Sequence, residues 1–190
     1  MIIDIFKTSI FKTKIENYSY KEYFLEILKK EKRKNKSTIK SNIGGYQTRS
    51  DLTINSPQLI KTLFLNPAKE FVTQLTPRKE LNLTLESFWI NENKQCDYNL
   101  LHNHSPANIS GVYYLKIPKD SGRLVFQNGD FSKFKDNNFD YFNDSNFACR
   151  YFFDVQEYEL YLFSGSTFHY VEPNRSNKKR ISVSFNIKIF

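Results

Sequence analysis

Residues 81–126, LNLTLESFWINENKQCDYNLLHNHSPANISGVYYLKIPKDSGRLVF, decide the fold of this 190-residue chain. They contain short runs of β-branched and aromatic residues, separated by turn-forming stretches such as NENKQCD and PKDSG. The runs that predict strands lie at residues 82–91, 98–104, 110–117 and 122–126. Because no helical pattern lies between them, they predict a sandwich or barrel rather than a parallel sheet.

The strand pattern continues toward the C-terminus. Residues 158–163, 168–172 and 180–189 are three further predicted strands. Between the two groups, Gln127–Arg150 is rich in Asn, Asp and Phe, and we interpret it as a long loop insertion over one end of the fold. Such a segment is a lid or binding loop in some proteins and a poorly ordered insertion in others.

The N-terminal part of the chain carries helical patterns. Ile2–Phe11 alternates enough to predict an opening strand, and residues 18–34 have the apolar spacing of an amphipathic helix. Ser56 is a good N-cap for a second helix, which we expect to run to residue 75 with a kink at Pro67.

The length and composition predict a single domain over residues 1–190. With 39% hydrophobic and 16% aromatic residues, the chain can bury one sizeable core. We divide it into an N-terminal strand and helices, residues 1–80, and a β core, residues 81–190, that contains the insertion 127–150. The predicted class is therefore mainly β with flanking helices.

The net charge of +8 comes largely from one short segment. Lys29–Lys36 holds six positive residues and one negative residue, which contributes +5 of the total. A solvated helix end explains this run, since lysines complement a helix C-terminus. Attraction to nucleic acid is the alternative, and it is only weakly supported because no base-reading fold is recognisable.

The sequence favours a cytoplasmic protein that does not enter membranes. No stretch approaches the roughly 18 apolar residues of a membrane span, and the first residues do not form a secretory signal. Cys96 and Cys149 are far apart and suit a reducing compartment, and we assign neither a role.

All three histidines of the chain stand where a metal site would need them. His102 and His104 are spaced by one residue, which places both imidazoles on one face of a strand. His169 starts a later strand, and the fold must bring it to the pair. Neutral imidazole binds Fe, Zn, Cu and Ni, and three such ligands leave coordination positions open for catalysis. We therefore predict a metal site rather than three ordinary core or loop histidines.

Arg180 follows His169 by eleven residues and leads a predicted strand. Its side chain points to the same face as those of Ser182 and Ser184. A guanidinium inside a β-sandwich is costly unless an anion neutralises it, and arginine suits bidentate carboxylate capture. Ser182 adds a hydroxyl donor. A surface ion pair is the alternative, but the nearby metal histidine favours a site for a cosubstrate that carries a carboxylate.

With these motifs in place, the sequence resembles the iron(II)/2-oxoglutarate-dependent oxygenases, and in particular small members that are common in marine bacteria and phages. The resemblance covers about residues 41–186. It rests on an ordered series of segments: SNIGGYQTRSDL (41–52), WIN (89–91), HNHSPANISGVYYLKIP (102–118), LFSGSTFHYVEPN (162–174) and RISVSFN (180–186).

The resemblance implies a double-stranded β-helix, or jelly-roll, with helices packed outside, and it implies Fe(II), 2-oxoglutarate and dioxygen as cofactors. His102 would be the first iron ligand and His169 the distal one. Arg180 would clamp the far carboxylate of 2-oxoglutarate with help from Ser182. Further candidates for contact with the cosubstrate are Tyr114, Ser110 and, more weakly, Asn99. The implied reaction is oxidative decarboxylation to succinate coupled to hydroxylation of a substrate that the sequence does not identify.

His104 is the main departure from the family pattern. It stands where most such oxygenases have an aspartate or glutamate of the facial triad. Three explanations stay open: His104 is a third imidazole ligand, another acid supplies the carboxylate, or His104 lies beyond the ligands. We prefer three histidines, because the nearest acid, Asp97, lies on the opposite face of the strand.

Two alternative functions also stay open. One is a cupin-like dioxygenase in which three histidines bind iron and 2-oxoglutarate is not used. The other is a non-catalytic binding module on the same scaffold. The exposed edges of such sandwiches often pair, so a homodimer is a further expectation.

Overall fold

The computed structural model describes residues 7–129 and 149–190, which form two antiparallel sheets packed face to face. In the described residues the strands, in chain order, are β1 (Phe11–Lys14), β2 (Asn42–Ile43), β3 (Tyr46–Gln47), β4 (Leu83–Asn93), β5 (Tyr98–His102), β6 (Ile109–Lys116), β7 (Leu124–Gln127), β8 (Arg150–Phe153), β9 (Glu159–Ser164), β10 (His169–Val171) and β11 (Arg180–Ile189).

From β4 to β11 the chain passes back and forth between the two sheets as in a jelly-roll, apart from β7 and β8, which are paired neighbours in the small sheet. The large sheet has the order β1-β9-β6-β11-β4-β3, and the small sheet has the order β2-β5-β10-β7-β8. Sequence neighbours such as β4 and β5 therefore lie in different sheets, while β4 pairs with the distant β11. The chain is a double-stranded β-helix, and the predicted fold class is confirmed.

Period-2 alternation gives the large sheet two different faces. On β11, Ile181, Val183, Phe185 and Ile187 are buried in the core beneath the helices. The residues between them, beginning with Arg180, point into the space between the sheets. The sequence RISVSFNIKI thus supplies apolar packing on one face and polar chemistry on the other.

Two helical segments cover the outer face of the large sheet. Helix α1 (Tyr18–Lys34) has the predicted bounds, and the Asn17 side chain caps it by accepting the Tyr20 N–H at 3.2 Å. Phe24 is fully buried against the ring of Phe88 in β4, with 6.0 Å between ring centroids. This aromatic contact fixes α1 on the sheet.

The second helical segment contains a π-helical turn just before Pro67, the residue at which a kink was predicted. It consists of α2 (Pro57–Leu59), a π-helical turn (Ile60–Leu65) and α3 (Asn66–Gln74). The Ser56 side chain accepts the Leu59 N–H, so the predicted N-cap is present. Pro67 lacks an N–H, and the π-helical turn just before it accommodates the missing bond by i→i+5 pairing.

Three predictions about elements differ from the structure. Residues 7–10 of the predicted strand Ile2–Phe11 are not a strand, since pairing with β9 begins only at Phe11; residues 2–6 lie outside the described part. The short edge strands β2, β3 and β8 were not predicted, because edge pairing depends on partners distant in sequence. Most of the predicted insertion 127–150 lies outside the described residues, although its ends belong to β7 and β8.

Side chains fill part of the space between the sheets, and a cavity of about 690 Å³ occupies another part. The buried cluster beside the cavity consists of Val112, Tyr114, Leu124, Phe126, Val155, Tyr161 and Phe163. Among the helices of the described segments, none has the length and apolar character needed to cross a membrane.

Candidate metal and cosubstrate site

The cavity begins at the three histidines. His102 ends β5 and His169 begins β10, and the two are paired residues of the small sheet. The predicted strand 98–104 ends early, because His104 lies in the loop that leads to Pro106, which has no N–H for the ladder. His104 reaches the same space from that loop rather than by strand alternation.

Hydrogen bonds to a neighbouring turn hold His104 in place. Its N–H donates to the Gly165 carbonyl at 2.7 Å, and the Gly165 N–H donates to the Asn108 carbonyl at 3.1 Å. A Cβ on Gly165 would lie 2.0 Å from the Ala107 carbonyl oxygen, so only glycine allows this approach. The SGST segment therefore positions the loop that carries His104.

The three imidazoles lie close enough to share one metal ion. Their ligand atoms all lie within 4.8 Å of one another, and the Nε2 atoms of His104 and His169 are 3.2 Å apart. The ring centroids of His102 and His169 are 4.4 Å apart. No carboxylate in residues 7–129 and 149–190 joins this group.

Backbone carbonyls orient two of the rings. His102 Nδ1 lies 2.7 Å from the Leu100 carbonyl, and His169 Nδ1 lies 2.9 Å from the Thr167 carbonyl. With the proton on Nδ1, each ring donates to its carbonyl and turns the Nε2 lone pair inward. Metal-binding histidines commonly have such partners, which fix the tautomer.

Burial keeps the imidazoles neutral. It lowers the pKa of His104 to about 4 and that of His169 to about 3, together with a smaller effect of the neighbouring His102. The pKa of His102 is also lowered by burial. All three rings are therefore unprotonated at neutral pH, as metal coordination requires.

Asp97 does not join the histidines, although its carboxylate acts electrostatically on Arg180 and raises the pKa of that guanidinium against the effect of burial. Its carboxylate accepts the Lys94 N–H at 2.6 Å. It also packs against Gly44, whose φ of +69° favours glycine and where a Cβ would lie 2.0 Å from the carboxylate. Asp97 therefore belongs to a turn outside the group of histidines.

Arg180 lines the same cavity as the histidines. It is 1% exposed and has no ion pair with an acid in the described part of the chain. One Nη atom donates to the Ser121 carbonyl at 3.0 Å and the other to Asn93 Oδ1 at 3.1 Å, while Nε is buried without a partner. Burial lowers the pKa of this guanidinium. A buried cation with an unused donor fits an anionic ligand.

Hydroxyl groups adjoin Arg180 on the cavity wall. Ser182 pairs with Tyr114 across β11 and β6, and both residues line the cavity. Burial raises the pKa of the Tyr114 phenol, so its O–H remains available as a donor.

The two remaining predicted residues have different surroundings. Asn99 lines the cavity and donates to Ser41 Oγ at 3.2 Å, which in turn lies 3.4 Å from His102 Nε2. Ser110 does not line the cavity, and its hydroxyl donates to Asn186 Oδ1 at 2.8 Å.

Several lining residues were not identified as site residues from the sequence. Trp89 lies against His104 with 5.4 Å between ring centroids, and Asn91 keeps Oδ1 buried without a partner. The alternation of side chains along β4 indicates that these residues belong to the site. Alternate residues of β4 pair with the cavity-facing residues of β11: Trp89 with Ser184, Asn91 with Ser182, and Asn93 with Arg180. This role can be inferred only when the register of β4 on β11 is known.

The donor set fits iron and 2-oxoglutarate. Three neutral nitrogen ligands leave positions on a metal open, and the unpaired Arg180 faces the same cavity. A dicarboxylate that reaches from a metal on the histidines to Arg180 would provide a partner for the buried Nε and neutralise the guanidinium.

The comparison with known families agrees with this geometry. A family model described as "Putative 2OG-Fe(II) oxygenase" matches residues 87–186, slightly more than half of the chain. This range contains all three histidines and Arg180. No curated protein matches the sequence.

Solved structures share the fold at low sequence identity. The viral collagen prolyl hydroxylase of Paramecium Bursaria Chlorella virus-1, in complex with 2-oxoglutarate, is 14% identical, with a TM-score of 0.60 and 94% of each chain covered. A prolyl-4-hydroxylase of Pseudomonas putida is 11% identical, with a TM-score of 0.60 over 95% of this chain and 92% of that one. HygX of Streptomyces hygroscopicus, with nickel and 2-oxoglutarate bound, is 12% identical, with a TM-score of 0.61 over 95% and 83%.

Proposed function

Because the chain belongs to the 2OG-Fe(II) oxygenase family, we propose that it is a dioxygenase that converts 2-oxoglutarate to succinate and carbon dioxide and hydroxylates a second substrate. Its cofactors are Fe(II) and 2-oxoglutarate, with dioxygen as oxidant. One observation carries the proposal: a buried, unpaired guanidinium shares a cavity with three neutral histidines.

In this proposal His102, His104 and His169 hold the metal through Nε2. When bound, iron and 2-oxoglutarate together supply the activation of dioxygen and the oxidation of a C–H bond. The protein fixes the ligand geometry in advance, since Nδ1 of His102 and of His169 is already bound to a carbonyl. His104 takes the place of the usual carboxylate, so the ligand set carries no negative charge.

Arg180 binds the far carboxylate of 2-oxoglutarate. Its Nε has no other partner, and the hydroxyls of Ser182 and Tyr114 stand ready to donate to the same anion. Charge-assisted bonds of this kind are stronger than neutral ones and fix orientation. Asn99 acts indirectly, because its amide holds Ser41 beside His102.

Aromatic side chains keep water from the metal end of the cavity. The ring centroids of Phe163 and Phe126 lie 4.7 and 6.0 Å from that of His169. On the opposite side, Trp89 contacts His104. Excluding water strengthens the electrostatic interactions inside the site and protects reactive species from side reactions.

The acceptor substrate stays undefined in this proposal. Two similar solved structures are prolyl hydroxylases by their descriptions, which supports hydroxylation as the outcome. The likeness to small marine bacterial and phage enzymes remains a prediction.

A cupin-like dioxygenase is the second candidate. The absence of a carboxylate from the histidine group in the described residues favours it, because the three-histidine centre considered for such an enzyme needs no acid. In that case Arg180 would bind a carboxylate of the substrate itself.

Turnover of labelled 2-oxoglutarate separates the two candidates. The protein is loaded with Fe(II) without oxygen, then exposed to air with 2-oxoglutarate, and labelled succinate and carbon dioxide are measured. We expect slow release even without a second substrate, and its loss in His169→Ala. Tyr170→Phe, at the neighbouring position, is the control that retains turnover. Stoichiometric iron binding without any succinate would reject the proposal in favour of the cupin-like enzyme.

A further inference from the structure

The basic end of α1 leads directly to the mouth of the cavity. Residues 35–41 connect this helix to β2, and Ile39, Lys40 and Ser41 line the cavity. The connection crosses from one sheet to the other: the Thr38 N–H donates to the Gln47 carbonyl of the large sheet at 2.9 Å, and the Ser41 carbonyl accepts the Leu100 N–H of the small sheet at 2.8 Å. The run of lysines therefore ends at residues that line the cavity.

Five cations along this path have no counter-charge within the described residues. They are exposed, and none lies within 4.0 Å of a described carboxylate. We call these residues the basic strip: Lys29, Arg33, Lys34, Lys36 and Lys40. Lys32, in contrast, is paired with Glu92 at 2.5 Å. The basic strip is thus a set of cations without ion pairs to described residues, and its last member, Lys40, lines the cavity.

The cavity continues this charge pattern inward. None of the described residues that line it is acidic, and its only charged lining residues are Lys40 and Arg180. A cationic substrate would find no carboxylate among the described lining residues. The walls combine amides and hydroxyls with apolar side chains, so the polar groups of a ligand can find partners inside.

The lining offers the groups that recognise a nucleobase. Gln47, Asn91 and Asn99 each present an amide with a donor and an acceptor, and Asn91 Oδ1 is buried without a partner. Trp89 provides a flat ring beside His104. Base edges combine donors and acceptors, and bases stack on aromatic rings.

Apolar side chains are exposed at the mouth. Ile39 is 81% exposed, and Leu100 and Leu101 are 47% and 46% exposed. They offer apolar contact surface beside the lysines of the basic strip.

We propose that the protein binds single-stranded nucleic acid, with phosphates along the basic strip and one nucleotide inside the cavity. The oxidation of that nucleotide rests on the proposed dioxygenase function, but binding does not. A single strand fits better than a duplex, because a base must leave the stack to enter such a cavity.

Anisotropy of fluorescein-labelled 20-nucleotide DNA and RNA strands of mixed sequence tests the strip. The protein is loaded with Ni(II) and 2-oxoglutarate, and binding is followed with increasing KCl. The variant reverses three strip charges, Lys34→Glu, Lys36→Glu and Lys40→Glu. Its matched control reverses three exposed lysines outside the cavity lining: Lys61→Glu, Lys69→Glu and Lys79→Glu. The two variants have the same net charge.

We expect the strip variant to bind at least tenfold more weakly than the control. The slope of the logarithm of its binding constant against the logarithm of the KCl concentration should become shallower by about 2. Each phosphate contact on a single strand contributes about 0.7 to this slope, and the variant loses three lysines. Equal weakening in both variants would overturn the proposal. So would tighter binding to a polyglutamate peptide or to anionic lipid vesicles, which would assign the strip to an acidic protein or a membrane.

Trp89 reports whether a base enters the cavity, because it is the only tryptophan in the chain. We expect its fluorescence to be quenched by the 20-nucleotide strand and not by an abasic strand of equal length. Equal quenching by both strands, or none by either, would contradict entry of a base. Neither readout requires turnover, so failure of this inference is distinguishable from an inactive oxygenase.

Discussion

Replacing Arg180 with methionine should abolish binding of 2-oxoglutarate at ordinary concentrations. Methionine keeps the bulk of the side chain but removes the buried charge that faces the cavity. Breaking a buried charge pair by removing one partner costs about 3–5 kcal/mol. At about 1.4 kcal/mol per tenfold change, the dissociation constant of 2-oxoglutarate should rise by about 140- to 3,700-fold.

Thermal unfolding measures this loss through ligand linkage. With Ni(II) present and 2-oxoglutarate at 100 times its dissociation constant, the free energy of unfolding of the wild-type protein should rise by about 2.7 kcal/mol. For a chain of this size that is a rise in Tm of about 5–11 °C. At the same concentration of 2-oxoglutarate, the free energy of unfolding of Arg180→Met should rise by no more than about 0.3 kcal/mol. Its Tm should therefore rise by about 1 °C or less.

Arg123→Met is the matched control. Arg123 immediately precedes strand β7, and it is paired with Glu172 at 2.7 Å instead of facing the cavity. It should keep the full shift with 2-oxoglutarate. A full shift in Arg180→Met would refute the assignment of this guanidinium to the cosubstrate, and the apo Tm of each variant shows separately whether it is folded.

Three further predictions concern the scaffold. Gly165→Ala places a Cβ against the Ala107 carbonyl and displaces the turn that holds His104, so metal affinity by titration should fall about 10- to 100-fold; unchanged affinity would contradict that role. Phe64→Ala empties a fully buried position, so the free energy of unfolding in urea should drop by about 3–5 kcal/mol, and a loss under 1 kcal/mol would be inconsistent with the packing. Hydrogen bonds from Arg123 lower the pKa of Glu172, so this pair stabilises the fold above the unfolded pKa of about 4.3 and the effect is lost as pH falls through the folded pKa. Because both groups are partly exposed, Glu172→Gln should cost about 1 kcal/mol or less at pH 7 and nothing at low pH, measured by urea unfolding; a pH-independent cost would exclude the ion pair.

Local patterns predicted the elements that depend on local chemistry. The bounds of α1 match the prediction because its apolar spacing and its N-cap both lie within the helix and its immediate flank. The strand carrying Arg180 was predictable because its alternation is regular over ten residues. In contrast, residues 7–10 alternate but find no partner, so alternation alone wrongly predicted a strand there.

The parts of the site that depend on long-range register were not predictable. The part played by Asn93 follows from its pairing with Arg180, which lies 87 residues away in sequence. His104 was expected on a strand, whereas the turn at Gly165 holds it in a loop. Both contacts require the complete fold, and neither leaves a periodic signal in its own segment.

An anaerobic crystal structure with Fe(II) and 2-oxoglutarate tests the central claim most directly. Anomalous scattering at the iron edge should place one ion about 2.1 Å from the Nε2 atoms of His102, His104 and His169. The far carboxylate of 2-oxoglutarate should lie within hydrogen-bond distance of Arg180 Nε. Iron bound away from these histidines, or Arg180 facing no ligand in the presence of saturating 2-oxoglutarate, would contradict the account.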